Sequence, residues 1–388
     1  FFIIWLPYIR ERFLFISIIV CSSGAGQRWE SFRKSAKFPH LVRWYNSILN
    51  EFKTLADIFS KHVVKKGAGR VDANATKSVE KGEKEKVEGS FEIDLPDAEM
   101  GKVCTRFPPE PSGYLHIGHA KAALLNQYFA QKYHGRMIVR FDDTNPEKEY
   151  SQFIDCIMED LETLGVKGDV VTYTSDYFPD LVQMAEKLIR EGKAYVDDTP
   201  REQMQKERMD GIESKCRNQS VEENLALWKE MMVASDRGVQ CCVRGKFDMQ
   251  AVNKSMRDPV YYRCNPRANH HRAGDKFKVY PTYDFACPFV DSVEGVTHAL
   301  RSSEYYDRRE QYNKVLQDMG LRKVYVWDFS RMNMTYTLLS KRKLHWFVEN
   351  RKVDGWDDPR FPTVRGILRR GLTIEALKQF ILSQVSFL

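Results

Sequence analysis

His116 and His119 stand either side of Ile117-Gly118, just after Pro111-Ser112-Gly113 and just before an Ala- and Leu-rich run. A helix opening at about Gly118 puts both imidazoles at its mouth. A helix N-terminus leaves its first amides unpaired and carries partial positive charge, and both effects favour phosphate. Ser112 and Gly113 let backbone approach closely. His116 and His119 can donate hydrogen bonds to phosphate oxygens and stabilise developing charge, and Gly118 leaves room for a flat base or ribose. Taken alone, the pattern fits two ordinary histidines in a surface loop equally well. A second element lies more than 200 residues downstream: LLSKRKL at 338–344, with Ser340, Lys341 and Lys343 in a predicted loop. A mobile lysine-rich loop can clamp phosphates in a transition state, although a Lys-Arg-Lys run by itself is usually a solvated charge patch. The two together, bracketing one stretch of alternating strands and helices, point to a triphosphate site.

The elements between them support that placement. VCTRF (103–107), MIVRF (137–141) and VVTYT (170–174) read as strands, and helices are expected over 118–133 and 147–164. In the second helix Phe153, Ile157, Leu161 and Leu164 share a face. Asp176 is the expected N-cap of a third helix, ending at Gly192. Strand–helix alternation of this kind implies an α/β fold with a doubly wound, Rossmann-type parallel sheet, its two halves at 91–194 and 278–345. Over 195–277 the alternation breaks into charged helical stretches and short strands, which reads as an inserted domain. Residues 346–388, rich in Arg, Trp and Pro, read as the start of a further helical region. Upstream, 27–63 is helical by the spacing of Leu41, Trp44, Ile48 and Phe52, with Pro39 at its entry, and 64–90 is a charged flexible linker with no aromatic residue.

The chain has 388 residues, is 43% hydrophobic and 29% charged, and carries a formal net charge of +7. These values exclude disordered and collagenous classes, and the mild excess of positive charge suits a polyanionic partner. Its eight cysteines form no C-x-x-C pair and read as reduced thiols of a cytosol-like compartment. Cys216, Cys241, Cys242, Cys264, His270 and His271 cluster in sequence, but their spacing fits no standard zinc pattern. Residues 1–22 are apolar but divided by Arg10-Glu11-Arg12. Phe13–Cys21 is far shorter than the roughly 20 residues a membrane span needs, so no membrane association is expected, and the segment reads as an atypical N-terminal edge.

The stretches RFPPEPSGYLHIGHAK, RFDDTNPEKE, YPTYDFACP, THALRSSEY and LLSKRKL resemble the class I aminoacyl-tRNA synthetases, within the glutamyl/glutaminyl subfamily. The resemblance runs from about 91 to 383, and 27–63 is similar to the end of the glutathione-transferase-like domain that precedes the catalytic core in relatives. It implies a HUP-like Rossmann catalytic domain, ATP with Mg²⁺, and an amino-acid carboxylate attacking the α-phosphate in line to give an adenylate, whose acyl group passes to the 3′ end of tRNA. Such catalysis is positioning plus stabilisation of negative charge. Glu110, Pro111, Ser112, His116, Gly118 and His119 fall in the first ATP signature, and Leu339, Ser340 and Lys341 in the second. Leu338 and Leu339 replace that signature's usual first two residues. Arg331 and Met332 match positions flanking the adenine. His116, His119 and above all Lys341 are the expected catalytic groups.

Asp142 matches the position that takes the substrate ammonium, while Asp143 serves either there or as a structural cap. Arg106 and Arg301 fall in motif positions facing the amino acid, with Tyr283 supplying a phenol. Arginine pairs bidentately with carboxylates, so two of them suit free L-glutamate, with tRNA(Glu) the acceptor the resemblance then implies, and a buried Arg301 would be left unpaired by glutamine. For Arg301 the ordinary alternative is a surface ion pair with Glu304. The resemblance also implies that 195–277 binds the acceptor end of tRNA. There Tyr261, Tyr262, Arg244, Lys246, Arg263 and Arg267 suit stacking and phosphate contact, unless the adjacent tyrosines alternate across a strand with one in a core. Residues 338–372 hold nine Lys or Arg against four Asp or Glu and suit either tRNA-stem contact or a solvated basic face. Relatives continue into anticodon-reading barrels beyond the equivalent of Leu388, and the incomplete N-terminal domain is expected to dock a protein partner. The cytoplasm is the expected compartment. A glutaminyl-specific sibling and a non-catalytic tRNA-binding scaffold are the alternatives.

Overall fold

Cys104–Phe107 (β1) and Arg136–Phe141 (β2) are almost continuously buried, as strands covered on both faces must be. They pair in parallel, Cys104 opposite Arg136, and Val170–Tyr173 (β3) adds in parallel at the outer edge. These elements come from a computed structural model that describes residues 94–146, 151–332 and 337–385. The readings of 1–63 and 64–90 lie outside the described residues, as do 147–150.

Ile117–Lys132 (α1) connects β1 to β2. Its sequence, IGHAKAALLNQYFAQK, is dominated by strong helix formers. Buried residues occur all round it, from Ala120 and Ala123 to Leu125 and Phe129, which marks a helix enclosed by protein rather than one lying on the surface. Ser151–Thr163 (α2) connects β2 to β3. Helix α3 spans Phe178–Arg190, but Asp176 does not cap it. Its carboxylate accepts from the Tyr173 N–H (3.1 Å) and closes a short 3₁₀ turn, Thr174–Tyr177, so that Tyr177 precedes the helix.

The parallel pattern gives way to an antiparallel sheet of Ala194–Asp197 (β4), Cys242–Gly245 (β5), Val260–Cys264 (β6) and Val279–Pro281 (β7). Two helices, Arg201–Asp210 (α4) and Val221–Met232 (α5), lie between β4 and β5. Ser220 starts α5 through a reciprocal capping box with Glu223. Trp228 of α5 meets Tyr262 edge to face at 5.2 Å. This sheet shares its core with the preceding layer: Leu181 and Leu188 of α3 and Val290 further on belong to one buried cluster with Trp228, Tyr261 and Tyr262.

Tyr283–Val293 (α6) leads to His298–Ser302 (β8), Arg309–Met319 (α7) and Tyr325–Phe329 (β9). Strands β8 and β9 pair in parallel. Thr297 ties this ribbon to β1: its N–H donates to the Cys104 carbonyl at 2.9 Å, and its Oγ1 accepts from the Cys104 N–H at 2.8 Å. Helices follow at Lys341–Glu349 (α8), Val364–Arg369 (α9) and Ile374–Val385 (α10). Among the described residues no helix is long and apolar enough to cross a membrane.

Candidate functional site

The end of β1 runs into Pro108–Gly113, and this loop leads to the mouth of α1. His116 is the N-cap of α1 and His119 its third residue. The Gly118 N–H donates to His116 Nδ1 (3.0 Å), and the His116 N–H donates to His119 Nδ1 (3.2 Å). Each Nδ1 is therefore an acceptor, which leaves the ring proton on Nε2 of both histidines. The rings stack with centroids 3.7 Å apart. Burial above all, then the cations of Lys341 and Arg331, pushes His116 down to about 4, and burial followed by His116 itself holds His119 well below the usual imidazole range. Both are neutral donors at neutral pH. Gly118 makes room for a group the sequence did not suggest. A Cβ there would sit 2.8 Å from His116 Cε1, so the vacancy it provides is filled by His116's own ring.

Lys341 reaches this corner. Its Nζ donates to Ser112 Oγ (3.0 Å) and to the Glu110 carbonyl (3.3 Å), and its stem passes over Gly113 at 3.7 Å from where a Cβ would be. Burial lowers the pKa of its ammonium. Lys341 does not lie in a loop. Ser340 is the N-cap of α8, and its carbonyl accepts from the N–H groups of Lys343 and Leu344 (3.0 Å each). Buried Leu344 anchors that first turn.

Both signatures line one cleft of about 1100 Å³. Glu110, His116, Gly118 and His119 line it, and so do Arg331, Met332, Leu339 and Lys341. Arg106, Asp142, Tyr283 and Arg301 line it as well. Pro111 is buried outside the wall, Ser112 meets the corner through Lys341, and Ser340 acts as the cap of α8. Arg331 pairs with Glu304, and both line the same cleft.

Around Arg106, Tyr283 and Arg301 the cleft is built on buried charge. Asp291 of α6 accepts from Arg106 Nε (3.0 Å), from Arg140 and from the Tyr312 hydroxyl (2.8 Å), while Arg140 also pairs with Glu294 at 2.8 Å. Arg106 further donates to the Leu300 carbonyl (3.0 Å) and Cys287 Sγ (3.7 Å). Three of its five donors are thus held inside the protein. Arg301 differs. It is 5% exposed, its Nε has no hydrogen-bond partner, and no carboxylate stands within ion-pair distance among the described residues. The guanidinium instead lies 4.5 Å from the Tyr305 ring centroid and 5.4 Å from that of Tyr283. The surface ion pair with Glu304 does not form.

Asp142, half-buried, has its N–H held by the Pro109 carbonyl at 2.9 Å. Its carboxyl is raised to about 7, chiefly by burial. Asp143 is structural: fully buried, it accepts from the Ser175 N–H (2.8 Å) and Oγ (2.7 Å).

Several expectations for the inserted stretch fail. Tyr261 and Tyr262 are both core residues with no exposure, because Gly245 opposite lets the Tyr261 ring lie on β5 and Trp228 covers Tyr262. Arg244 is equally buried, paired with Asp197 at 2.6 Å. Arg263 and Arg267 are exposed, and Arg263 lines the cleft. The six-residue zinc set does not converge: Cys216 sits with Asp197 and Asp198, while His270 and His271 sit with Asp143. The described cysteines are free thiols.

The structure adds one contact that no motif announced. Thr363 forms an antiparallel bridge with His116. The Ile117 N–H donates to the Pro362 carbonyl (3.0 Å), and the Val364 N–H to the Leu115 carbonyl (2.9 Å).

A parallel-sheet domain whose first crossover helix opens with two neutral donors, faced by a lysine from late in the chain, defines a nucleotide-binding catalytic domain of the Rossmann type. The family described as tRNA synthetases class I (E and Q), catalytic domain, matches residues 102–386, and the chain belongs to it. It is 67% identical over 373 residues to the cytoplasmic glutamate–tRNA ligase of Arabidopsis thaliana, covering 95% of this chain and 52% of that protein. Identity to the cytoplasmic glutamate–tRNA ligase of Saccharomyces cerevisiae is 56% over 348 residues, 89% of this chain and 48% of the relative. A probable cytoplasmic glutamate–tRNA ligase of Schizosaccharomyces pombe is 61% identical over 310 residues, 80% of this chain and 43% of its own length. The chain spans about half the length of the curated relatives it matches.

Proposed function

We propose that this chain carries the catalytic part of a cytoplasmic glutamate–tRNA ligase, which activates L-glutamate with ATP and transfers it to the 3′ end of tRNA(Glu). The observation that carries the choice of amino acid is Arg301, a buried guanidinium with no carboxylate partner at the wall of the cleft. With Arg106 and Arg140 it makes three buried cations against the carboxylates of Asp291 and Glu294. A γ-carboxylate entering there balances the charge, whereas glutamine's amide leaves it unbalanced at a cost on the order of several kcal/mol. Asp142 takes the ammonium, and Arg106 and Tyr283 complete the pocket. Glu110, Pro111, Ser112, Gly118, Arg331, Met332, Leu339 and Ser340 shape the ATP site.

His116 and His119 donate from Nε2 to phosphate oxygens, and Lys341 supplies the cation that follows charge onto the leaving pyrophosphate. The phosphate corner offers donors and one carboxylate, Glu110, rather than an oxygen cage, so Mg²⁺ is proposed to arrive on the nucleotide. Residues 195–277 would hold the acceptor end of tRNA, with the helical region 346–388 and the basic stretch 338–372 that overlaps it against its stem. A protein partner would dock through the N-terminal segment.

The test supplies ATP, tRNA(Glu) and either glutamate or glutamine and counts charged tRNA. Glutamate is charged and glutamine is not. Lys341→Ala loses at least about 100-fold in rate, and Arg301→Gln loses a comparable factor for glutamate. Equal charging of the two amino acids, or full activity of either variant, overturns the reading.

A further inference from the structure

Lys121 is a lysine in the wrong company. It is 1% exposed on α1, between the buried Ala120 and Ala123, two residues beyond His119. No carboxylate pairs with it among the described residues. Its ammonium donates to the Ser330 carbonyl (2.7 Å) and to Ser330 Oγ (3.0 Å), both on one residue 209 positions away. Burying an ammonium without a counter-charge is costly. A core position that needed only filling would take an apolar side chain.

Ser330 immediately follows β9 and immediately precedes Arg331 and Met332, which line the cleft. Helix α1 carries the two histidines that line the same cleft. The Lys121–Ser330 contact therefore joins the histidine helix to the strand end that supplies Arg331 and Met332 to that cleft. Two donors on two acceptors of a single residue fix position more tightly than one contact would, because an ammonium on a long stem is otherwise free to turn. Nucleotide sites tolerate little error in the placement of their walls.

We infer that Lys121 is a positioning residue for ATP: its paired hydrogen bonds to Ser330 set the separation between the His116–His119 corner and the Arg331–Met332 wall. The inference rests on the proposed ATP site. It assigns Lys121 no contact with substrate and predicts an effect on the nucleotide that the amino acid does not share.

Calorimetric titration of the full chain with ATP, and separately with glutamate, tests it. Lys121→Met keeps the stem and removes the ammonium. ATP binding weakens about tenfold while glutamate affinity stays within twofold, and the melting temperature does not fall, since an apolar side chain of similar length replaces an unpaired buried cation. Ser330→Ala keeps the carbonyl bond and costs a smaller factor, about twofold to threefold. The double variant binds ATP no more weakly than Lys121→Met alone, because both changes cut one link. Unchanged ATP affinity in Lys121→Met overturns the inference, as does a parallel loss of ATP and glutamate affinity with a lowered melting temperature. Should Lys121→Met fail to fold, Ser330→Ala decides alone: an unchanged ATP affinity there overturns the inference. Absence of ATP binding by the unaltered chain instead overturns the function proposed above.

Discussion

At the scale of single residues, Asp142 shows how a site's chemistry and its stability pull apart. Its carboxyl is raised to about 7 mainly by burial, against the downward pull of Thr144 and Arg140. Above that pH it is an anion able to take a substrate ammonium, and below it is neutral and cannot. On the function proposed above, kcat/KM for glutamate falls about tenfold per unit as pH drops below 7, and Asp142→Asn flattens that limb while losing most activity. His116, at about 4, does not titrate in this window. The folded carboxyl binds its proton more tightly than the unfolded one, so the ionised form opposes folding above the ordinary carboxylate range. Asp142→Asn is expected to melt higher than the unaltered chain at pH 8, and a lower melting point would contradict the burial argument.

At the scale of elements, α1 is both a structural axle and the source of donors. In Gly118→Ala the new methyl would meet His116 Cε1 at 2.8 Å. The ring has to leave its acceptor position, while the helix gains propensity from the same change. ATP binding should weaken tenfold or more with helical content by circular dichroism unchanged. The parallel strands and α1 were legible because buried apolar runs and an Ala- and Leu-rich window leave few other structures open. Lys341 was legible as chemistry but misplaced as loop. Lys and Arg are good helix formers, and one buried residue, Leu344, is enough to anchor a turn that a charge run alone conceals. Tyr261 and Tyr262 misled for the opposite reason. Adjacent residues on a strand face opposite ways, and only the flanking core, with Trp228 on one side and Phe285 at 4.7 Å from Tyr261, buries both. Lys121 left a faint signal, a lone charge inside an apolar helical run, but its partner Ser330 could not be read from sequence.

At the scale of the whole molecule, the C-terminal helices are tied to the catalytic layer by charge as well as backbone. Arg365 pairs with Asp160 of α2 (2.7 Å) and with Glu159 (2.8 Å), and Asp160 also accepts from the Leu115 N–H (3.4 Å). Asp160 is buried, so Arg365→Met strands a carboxylate and should cost roughly 3 kcal/mol, read as a lower midpoint in urea. The double variant with Asp160→Asn recovers part of that loss, and failure to recover any would deny the pair its role. Thr363 adds a consequence for where this protein can be divided. Its bridge to His116 means that the donor end of α1 is braced by chain lying some 250 residues later. A fragment ending after Glu349 would retain every signature residue and yet lack the brace. Proteolysis within 350–361 should therefore weaken the proposed ATP binding, read by calorimetric titration, while leaving the motifs intact, so the smallest piece expected to hold the nucleotide extends well past the last recognisable signature.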